Sequence, residues 1–276
     1  MHTRAAQPVT GGGGPERVSA PAKLTLSLRV VGVRADGFHL LDAEMVSIDL
    51  VDTLDFEPGS GISVEDAVCG GLGVERVPTG PDNLVARALA AVSRDAAVLI
   101  TKRVPAGAGL GGGSSDAAAV LRWAGCTDPT VAARLGADVP FCVQGGRARV
   151  TGVGEQVAVL PFEDRRFVLL LPPLSVDTAA VYRRWDERHA LGVVETDDAV
   201  TGNDLEAAAI DVAPSLARWR GALAEATGLT PRLAGSGSTW FVEGEPDSVA
   251  ERDALVVDGE QAPLVRARTV RGAGDG

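Results

Sequence analysis

The chain predicts an α+β protein in two parts, and three observations carry that prediction. Strand-like and helix-like segments mix without a regular βαβα beat, which argues against a doubly wound parallel sheet. Two strand–glycine-loop units occur, one in each half, at residues 96–115 and 232–242. A length of 276 residues is enough for two modest domains, and Pro172-Pro173 marks a break in the pattern. We divide the chain into a tail at 1–17, a first domain at 18–160 and a second at 161–276.

Residues 1–15 are polar and Gly-rich, with no apolar run of a signal peptide, which predicts a disordered tail. From 18 to 33 the chain alternates. Leu24, Leu26, Leu28 and Val30 share one face, and Lys23, Thr25, Ser27 and Arg29 the other, as in a half-buried strand. Asp36-Gly37 predicts a turn leading into Phe38 and His39. Residues 40–50 and 52–56 read as strands, and the acidic, Gly-rich stretch 58–78 as a short hairpin and loop. A helix over 81–93 starts at Asp82 or Asn83 and gathers Leu84, Ala88, Leu89 and Val92 on one side. A strand at 96–101 runs into the first glycine loop. Helices follow at 115–124 and 129–135, the latter stopped by Gly136. Asp138 falls in a turn before Pro140, and 144–154 reads as a hairpin. The second part has a buried strand at 167–172 and helices at 176–189, 203–210 and 215–227. A strand–loop–strand unit, a helix at 248–254 and a last strand at 262–270 complete it.

Composition narrows the function. Apolar residues make up 45% and aromatics only 4%, so the core is built mainly from Val, Leu and Ala. A formal charge of −11 argues against a nucleic-acid partner and against an anionic membrane surface. No run of about eighteen apolar residues predicts a membrane span. Cys69, Cys126 and Cys142 are odd in number and lack CxxC spacing, which suits reduced thiols in a cytoplasmic protein.

The chemistry centres on Lys102–Gly125. Gly107, Gly109, Gly111, Gly112 and Gly113, interrupted by Ala108 and Leu110, lead into Ser114, Ser115 and Asp116 at a helix start. Glycines let the backbone approach an oxyanion closely, and the first helical N–H groups have no internal partner, so the stretch predicts a phosphate site. It is not a common type. Residues 107–112 satisfy G-x-G-x-x-G, but Pro105 interrupts the turn and no ribose-binding acid follows at the required distance. A Walker loop is excluded because no Gly-Lys pair occurs. His2, His39 and His189 are scattered, which predicts no protein metal centre, and no G-x-S-x-G elbow exists. Of 26 basic residues only Lys23 and Lys102 are lysines, as expected where a compact ammonium is required.

Three stretches in this order, PAKLTLSLRVVGVRADGFH at 21–39, PAGAGLGGGSSDAAA at 105–119 and LAGSGSTWF at 233–241, resemble the GHMP small-molecule kinases. Further cues are LGADVPF at 135–141 and NDLE at 203–206. They are similar to the branch that takes a cytidine diphosphate alcohol rather than homoserine or mevalonate. The resemblance implies a two-lobed α+β fold, with a ribosomal S5-like N-terminal lobe and a ferredoxin-like C-terminal lobe. It implies transfer of the γ-phosphoryl group of ATP, with Mg²⁺, to the 2-hydroxyl of 4-diphosphocytidyl-2-C-methyl-D-erythritol in the non-mevalonate isoprenoid pathway. The protein would be a monomer or weak homodimer with a small-molecule substrate. A nucleotide-binding paralogue without turnover is the alternative from another class, and it would be expected to lack Lys23 or Asp138.

By the same resemblance Asp138 is the catalytic base and a substrate contact, and Lys23 its partner on the moving phosphoryl group. Pro105, Gly107, Gly109, Leu110, Gly111, Gly112, Gly113, Ser114 and Ser115 would wrap the ATP phosphates. Asn83 and Lys102 match adenine-contacting positions, with a helix N-cap as the rival role for Asn83. Phe38 and Tyr182 match a pair of rings that sandwich the cytosine, His39 a residue on its edge, and Thr178 a substrate contact. Gly235, Ser236 and Gly237 would close over the phosphates from the second lobe. The chain departs from the family pattern at Thr25, where Asn is usual and a substrate contact is altered, and at Phe38, where Tyr is usual. It is also shortened between 119 and 136.

Overall fold

A computed structural model describes residues 16–68, 77–190 and 202–272. The first strand, β1 (Glu16–Val33), begins inside the segment 1–17 read as tail, because Glu16 and Arg17 already pair with Phe56 and Asp55. The remainder of that tail lies outside the described residues, as does Cys69. β1 pairs antiparallel with β2 (His39–Glu57), a single strand where the sequence suggested two. The pairing slips between Pro21 and Lys23 and again between Thr25 and Ser27. Each bulge turns the strand over. Ala20 and Leu28 therefore face one core, while Ala22, Leu24 and Leu26 face another. Between the two slips Lys23 and Thr25 face the helical side of the sheet, where both are buried.

The rest of the first sheet is β3 (Gly61–Asp66), β4 (Ala97–Lys102), β5 (Arg147–Gly152) and β6 (Gln156–Val159), in the order β3-β4-β2-β5-β6 with β1 on β2. Among the described strands of this sheet only β3 and β4 run parallel. Within the stretch 58–78, residues 61–66 form β3 beside β4, and residues 69–76, where the expected hairpin and loop would continue, lie outside the described residues. α1 (Leu84–Ala91), α2 (Gly112–Trp123), α3 (Pro129–Leu135) and α4 (Val139–Gln144) cover one face. α2 starts three residues earlier than its composition suggests, and α4 was hidden by Pro140, which sits at a first-turn position where its missing N–H costs nothing.

The second sheet contains β7 (Arg166–Leu170), β8 (Arg232–Leu233), β9 (Trp240–Glu243), β10 (Ala254–Val257) and β11 (Glu260–Arg268), all antiparallel, in the order β10-β11-β7-β9-β8. α5 (Thr178–Ala190), α6 (Glu206–Val212) and α7 (Ser215–Thr227) connect β7 to β8. The order β11-β7-β9-β8 is that of a ferredoxin-like sheet, but the second crossover helix is absent. The helix expected at 248–254 is a three-residue 3₁₀ turn, Asp247–Val249, followed by β10. Asp258 and Gly259, both at positive φ, close the β10–β11 hairpin, so an Asp-Gly turn overrode the helical pattern.

Two cores hold this together. One packs α2 and α4 on the first sheet through Leu54, Ile100, Val120 and Phe141, and continues into the second lobe at Trp219, Leu223 and Trp240. The other joins the two sheets directly: Leu24 and Ile48 meet Phe167, Leu169 and Phe241, with Leu110 of the glycine loop among them. Aliphatic side chains of this kind contribute roughly 1.5–3 kcal/mol each when fully buried.

Candidate active site

The glycine loop is fixed from three sides. The Lys23 N–H donates to the Leu110 carbonyl at 3.0 Å, and the Thr239 N–H to the Ala108 carbonyl at 3.2 Å. Gly111 then takes a left-handed conformation, φ +66°, and caps α2. The glycines are required by the loop's own neighbours. A Cβ on Gly109 would lie 2.4 Å from the Ala234 carbonyl oxygen and 2.6 Å from that of Gly237. On Gly111 it would lie 2.7 Å from Lys23 Cγ, and on Gly112 3.1 Å from Lys102 Nζ. The loop is exposed at Gly107 and Gly113, and between them it packs on Lys23 at Gly111 and on Lys102 at Gly112.

The loop separates two cavities. One, of about 390 Å³, is lined by Asn83, Lys102, Pro105, Gly107, Gly112 and Gly113, among others. The other, of about 690 Å³, is lined by Lys23, Thr25, His39, Asp138, Thr178 and Tyr182 and extends to Gly235 and Ser236. Gly109, Gly111 and Ser114 line both. The structure therefore gathers nearly all the residues singled out in the sequence around one loop.

Lys23 Nζ lies 3.4 Å from Asp138 Oδ2 and donates to Thr25 Oγ1 at 3.1 Å. The lysine side chain is 7% exposed and the aspartate 32%. A buried cation thus faces a carboxylate open to the larger cavity. Asp138 precedes α4, and its side chain caps no N–H of that helix, which leaves the carboxylate to Lys23 and the cavity. Thr25, where the resemblance expects Asn, supplies a hydroxyl to the ammonium.

The second lobe reaches the same point. Thr178 Oγ1 and Ser236 Oγ share a hydrogen bond of 2.8 Å. Asn203, in the NDLE stretch, is buried and donates from Nδ2 to the carbonyls of Leu233 at 2.9 Å and Gly235 at 2.8 Å. Asp204 ties the same segment to β1, accepting from the Val30 N–H at 2.8 Å and from Arg29 at 2.6 Å. Asn203 was read only as a family cue. Its signal was an Asn before a helix beside a glycine loop, which sequence spacing alone does not connect.

Two expected contacts, Ser115 and Leu110, line neither cavity, and two that line the smaller one, Asn83 and Lys102, are engaged within the protein. Ser115 donates its hydroxyl to the Pro21 carbonyl at 2.6 Å and is wholly buried, so it joins α2 to β1 and does not face a ligand. Leu110 is buried in the inter-sheet core and offers the cavity no side chain. Asn83 takes its rival role: Oδ1 accepts from the Val85 N–H at 2.7 Å and Nδ2 donates to the Pro78 carbonyl at 2.6 Å. Lys102 is engaged by Asp52 and, at 2.8 Å, by Asp116. Burial disfavours its ammonium, yet Asp116 and Asp52 outweigh burial and hold its pKa above the usual lysine value. Asp116 does not serve the first helical turn. It is the fifth residue of α2 and points at Lys102.

At the far end of the larger cavity, the ring pairing also differs. His39 lies against Tyr182 at 4.6 Å between ring centres, and the edge of Trp185 meets His39 at 5.6 Å. His39 Nε2 is 2.8 Å from Asp186 Oδ1. Burial, with Asp138 nearby, pushes the Tyr182 phenol up. Phe38 lies on the rim, 59% exposed, with the Arg34 guanidinium over its ring. β2 begins at His39, so alternation turns Phe38 outward. Trp185 and Asp186 follow Tyr182 on α5, and their part was not legible before the helix was docked. Among the described residues no group of three or more His, Cys, Asp or Glu could hold a metal ion. None has a helix long and apolar enough to cross a membrane.

Comparison with known proteins defines the class. Residues 83–146 match the GHMP kinases N terminal domain. A crystal structure of 4-(cytidine 5'-diphospho)-2C-methyl-D-erythritol kinase superposes with a TM-score of 0.70 at 32% identity, covering 94% of this chain and all of the other. Mevalonate kinase of Methanococcus jannaschii shares the fold at a TM-score of 0.57 and 15% identity, over 95% of this chain and 100% of that one. The architecture is therefore the two-lobed α+β fold of GHMP kinases.

Among curated relatives, 4-diphosphocytidyl-2-C-methyl-D-erythritol kinase of Paracoccus denitrificans is 40% identical over 82% of this chain and 85% of its own length. Its counterpart in Paramagnetospirillum magneticum is 38% identical over 81% and 87%. The chain belongs to the 4-diphosphocytidyl-2-C-methyl-D-erythritol kinase family.

Proposed function

We infer that this protein transfers the γ-phosphoryl group of ATP to the 2-hydroxyl of 4-diphosphocytidyl-2-C-methyl-D-erythritol, a step of the non-mevalonate isoprenoid pathway. The observation that carries this is the Lys23–Asp138 pair, placed where a glycine loop divides one cleft into two cavities. Phosphoryl transfer needs reactants held in line and charge neutralised, and little covalent chemistry from the protein.

Each group has a part in that scheme. ATP occupies the smaller cavity, with its phosphates along Gly107–Gly113 and Ser114. The free N–H groups at the start of α2 point toward them. The alcohol lies in the larger cavity with its hydroxyl at Asp138. Asp138 accepts the hydroxyl proton as the oxygen attacks the γ-phosphorus, and the bond to the bridging oxygen of ADP breaks. Lys23, fixed by Thr25 and by the packing of Gly111, neutralises charge that develops on the moving group. Thr178 and Ser236 approach from the second lobe, while His39 and Tyr182 offer ring faces to the cytosine. Stacking of a base on such a face contributes roughly 1–3 kcal/mol. Mg²⁺ would be held chiefly by the nucleotide's own phosphates and water, as is usual for this ion. This reading includes a cytoplasmic setting and a monomer or weak homodimer.

Purified protein with Mg·ATP should release ADP with the cytidyl alcohol and not with homoserine or mevalonate. Equal release with all three, or release with none, would overturn the assignment. Asp138→Asn should lower kcat by about 10²–10⁴ while Mg·ATP still binds. Near-normal turnover in that variant would remove Asp138 from the role of base.

A further inference from the structure

A buried charge cluster lies under the nucleotide side of the cleft, and nothing in the transfer scheme uses it. Lys102, at the end of β4, is held by Asp52 of β2 and by Asp116 of α2. Asp52 is closed off on all sides: Oδ1 accepts from the Arg103 N–H at 2.5 Å and the Val104 N–H at 2.8 Å, and Oδ2 from Lys102. Asp116 is only half satisfied. Its Oδ2 accepts from Lys102 at 2.8 Å, while its Oδ1 is buried with no hydrogen-bond partner. Asp116 also lines the smaller cavity, in company with Gly111, Gly112 and Gly113. An unpartnered carboxylate oxygen in such a place is costly, and the cost falls if the group is neutral.

The charge count leads the same way. Two carboxylates and one ammonium leave one net negative charge directly beneath a phosphate loop. None of the charged groups around it other than Lys102 donates to Asp116: Lys23 of β1 is paired with Asp138 before α4, Arg122 of α2 gives its guanidinium to the Ser19 and Cys142 carbonyls, the Cys142 thiol is pushed up by burial, and Asn83 at the start of α1 is uncharged. We propose that Asp116 is a positioning residue of the nucleotide site that takes up a proton when the phosphates of ATP bind. A proton from solvent joins its carboxylate and no other bond changes. The cluster becomes neutral, and the Lys102–Asp52 pair still supports the loop from below. Burial, opposed by Lys102 and reinforced by Asp52, raises the Asp116 pKa from 3.8 to about 7 in the free protein, so arriving phosphates need only push it further. This deepens the function inferred above and rests on it.

The test is titration calorimetry of the whole chain with Mg·ATP, without the alcohol, in phosphate and in Tris at pH 7.5–8.5. The expected result is uptake of about half to one proton per nucleotide, with affinity falling up to tenfold per pH unit above 7. Asp116→Asn keeps the shape of the side chain and should bind Mg·ATP with no buffer-dependent heat and a flat pH profile. Equal uptake in both proteins, or none in the wild type, would overturn the proposal and leave the kinase reading intact. The wild-type measurement decides this even if the variant does not fold. Failure of folded wild-type protein to bind Mg·ATP at any pH would instead overturn the kinase reading, and this proposal with it.

Discussion

Replacing Gly111 by alanine perturbs the site through one added methyl group. The residue sits at φ +66°, where an L side chain costs roughly 1–2 kcal/mol. The new Cβ would lie 2.7 Å from Lys23 Cγ and 3.2 Å from Cε, against 3.4 Å or more in ordinary contact, so the lysine must retreat by roughly 0.7 Å. Its Nζ is placed between Thr25 and Asp138, and a displacement of about 1 Å at a reacting centre can cost about 100-fold in rate, or about 2.7 kcal/mol. Gly111→Ala should therefore lose about 1–2 kcal/mol in urea unfolding and about 100-fold in kcat, read by ADP release. Gly221 provides the control. It lies in α7, and a Cβ there meets nothing within 4 Å. Gly221→Ala should gain about 0.5–1 kcal/mol and leave kcat unchanged. If Gly111→Ala shows the expected loss of stability and yet retains kcat within threefold, the argument that the glycine exists to seat Lys23 is wrong.

The remaining predictions concern the groups around that pair. Lys23→Arg should be as inactive as Lys23→Ala, because the buried slot fits an ammonium and not a planar fork; recovery of a tenth of the activity by Arg would show that charge alone suffices. Asn203→Ala leaves the Leu233 and Gly235 carbonyls without a donor and should cost about 1–3 kcal/mol, checked by denaturant midpoint, with a raised KM for the substrates that meet at Ser236. Asp116 gives the stability a pH dependence. Its folded pKa of about 7 exceeds the ordinary 3.8, so between these values the folded chain holds a proton that the unfolded chain releases, and stability falls as pH rises. Asp116→Asn should flatten that window, and urea midpoints at pH 5 and pH 8 that change equally in both proteins would contradict the sign.

What could be read before folding follows from how far each signal reaches along the chain. The glycine loop, the strand of Lys23 and helices such as Ser215–Thr227 are local patterns, and the structure places them close to where periodicity put them. The side on which Lys23 lies is not local. It depends on two slips against β2, and alternation alone cannot show a slip. Ser115 reads as an anion donor, and Asp116 as a first-turn acid, because both stand at a helix start beside a glycine loop. Their true partners, Pro21, Asp52 and Lys102, come from other strands, which no spacing reveals. The ring cluster was half legible. The chain's single Tyr stood out, but α5 had to be docked before His39 could meet Tyr182 and Trp185. The lost crossover helix near residue 250 is the opposite case. Asp258-Gly259 is a local turn signal, and the β10–β11 pairing it closes begins at Ala254, inside the stretch that the helical pattern covers.

The close fit between Gly111 and the stem of Lys23 joins two positions 88 apart in numbering into one heritable unit. A methyl group at 111 is harmful because the lysine is there, so a descendant that abandoned phosphoryl transfer and lost Lys23 would be released from steric selection at 111 as well. Loss of that glycine in a related chain would then mark the retirement of the lysine's task, and finding the two losses in the opposite order along a lineage would be a sign of an intermediate that was already inactive.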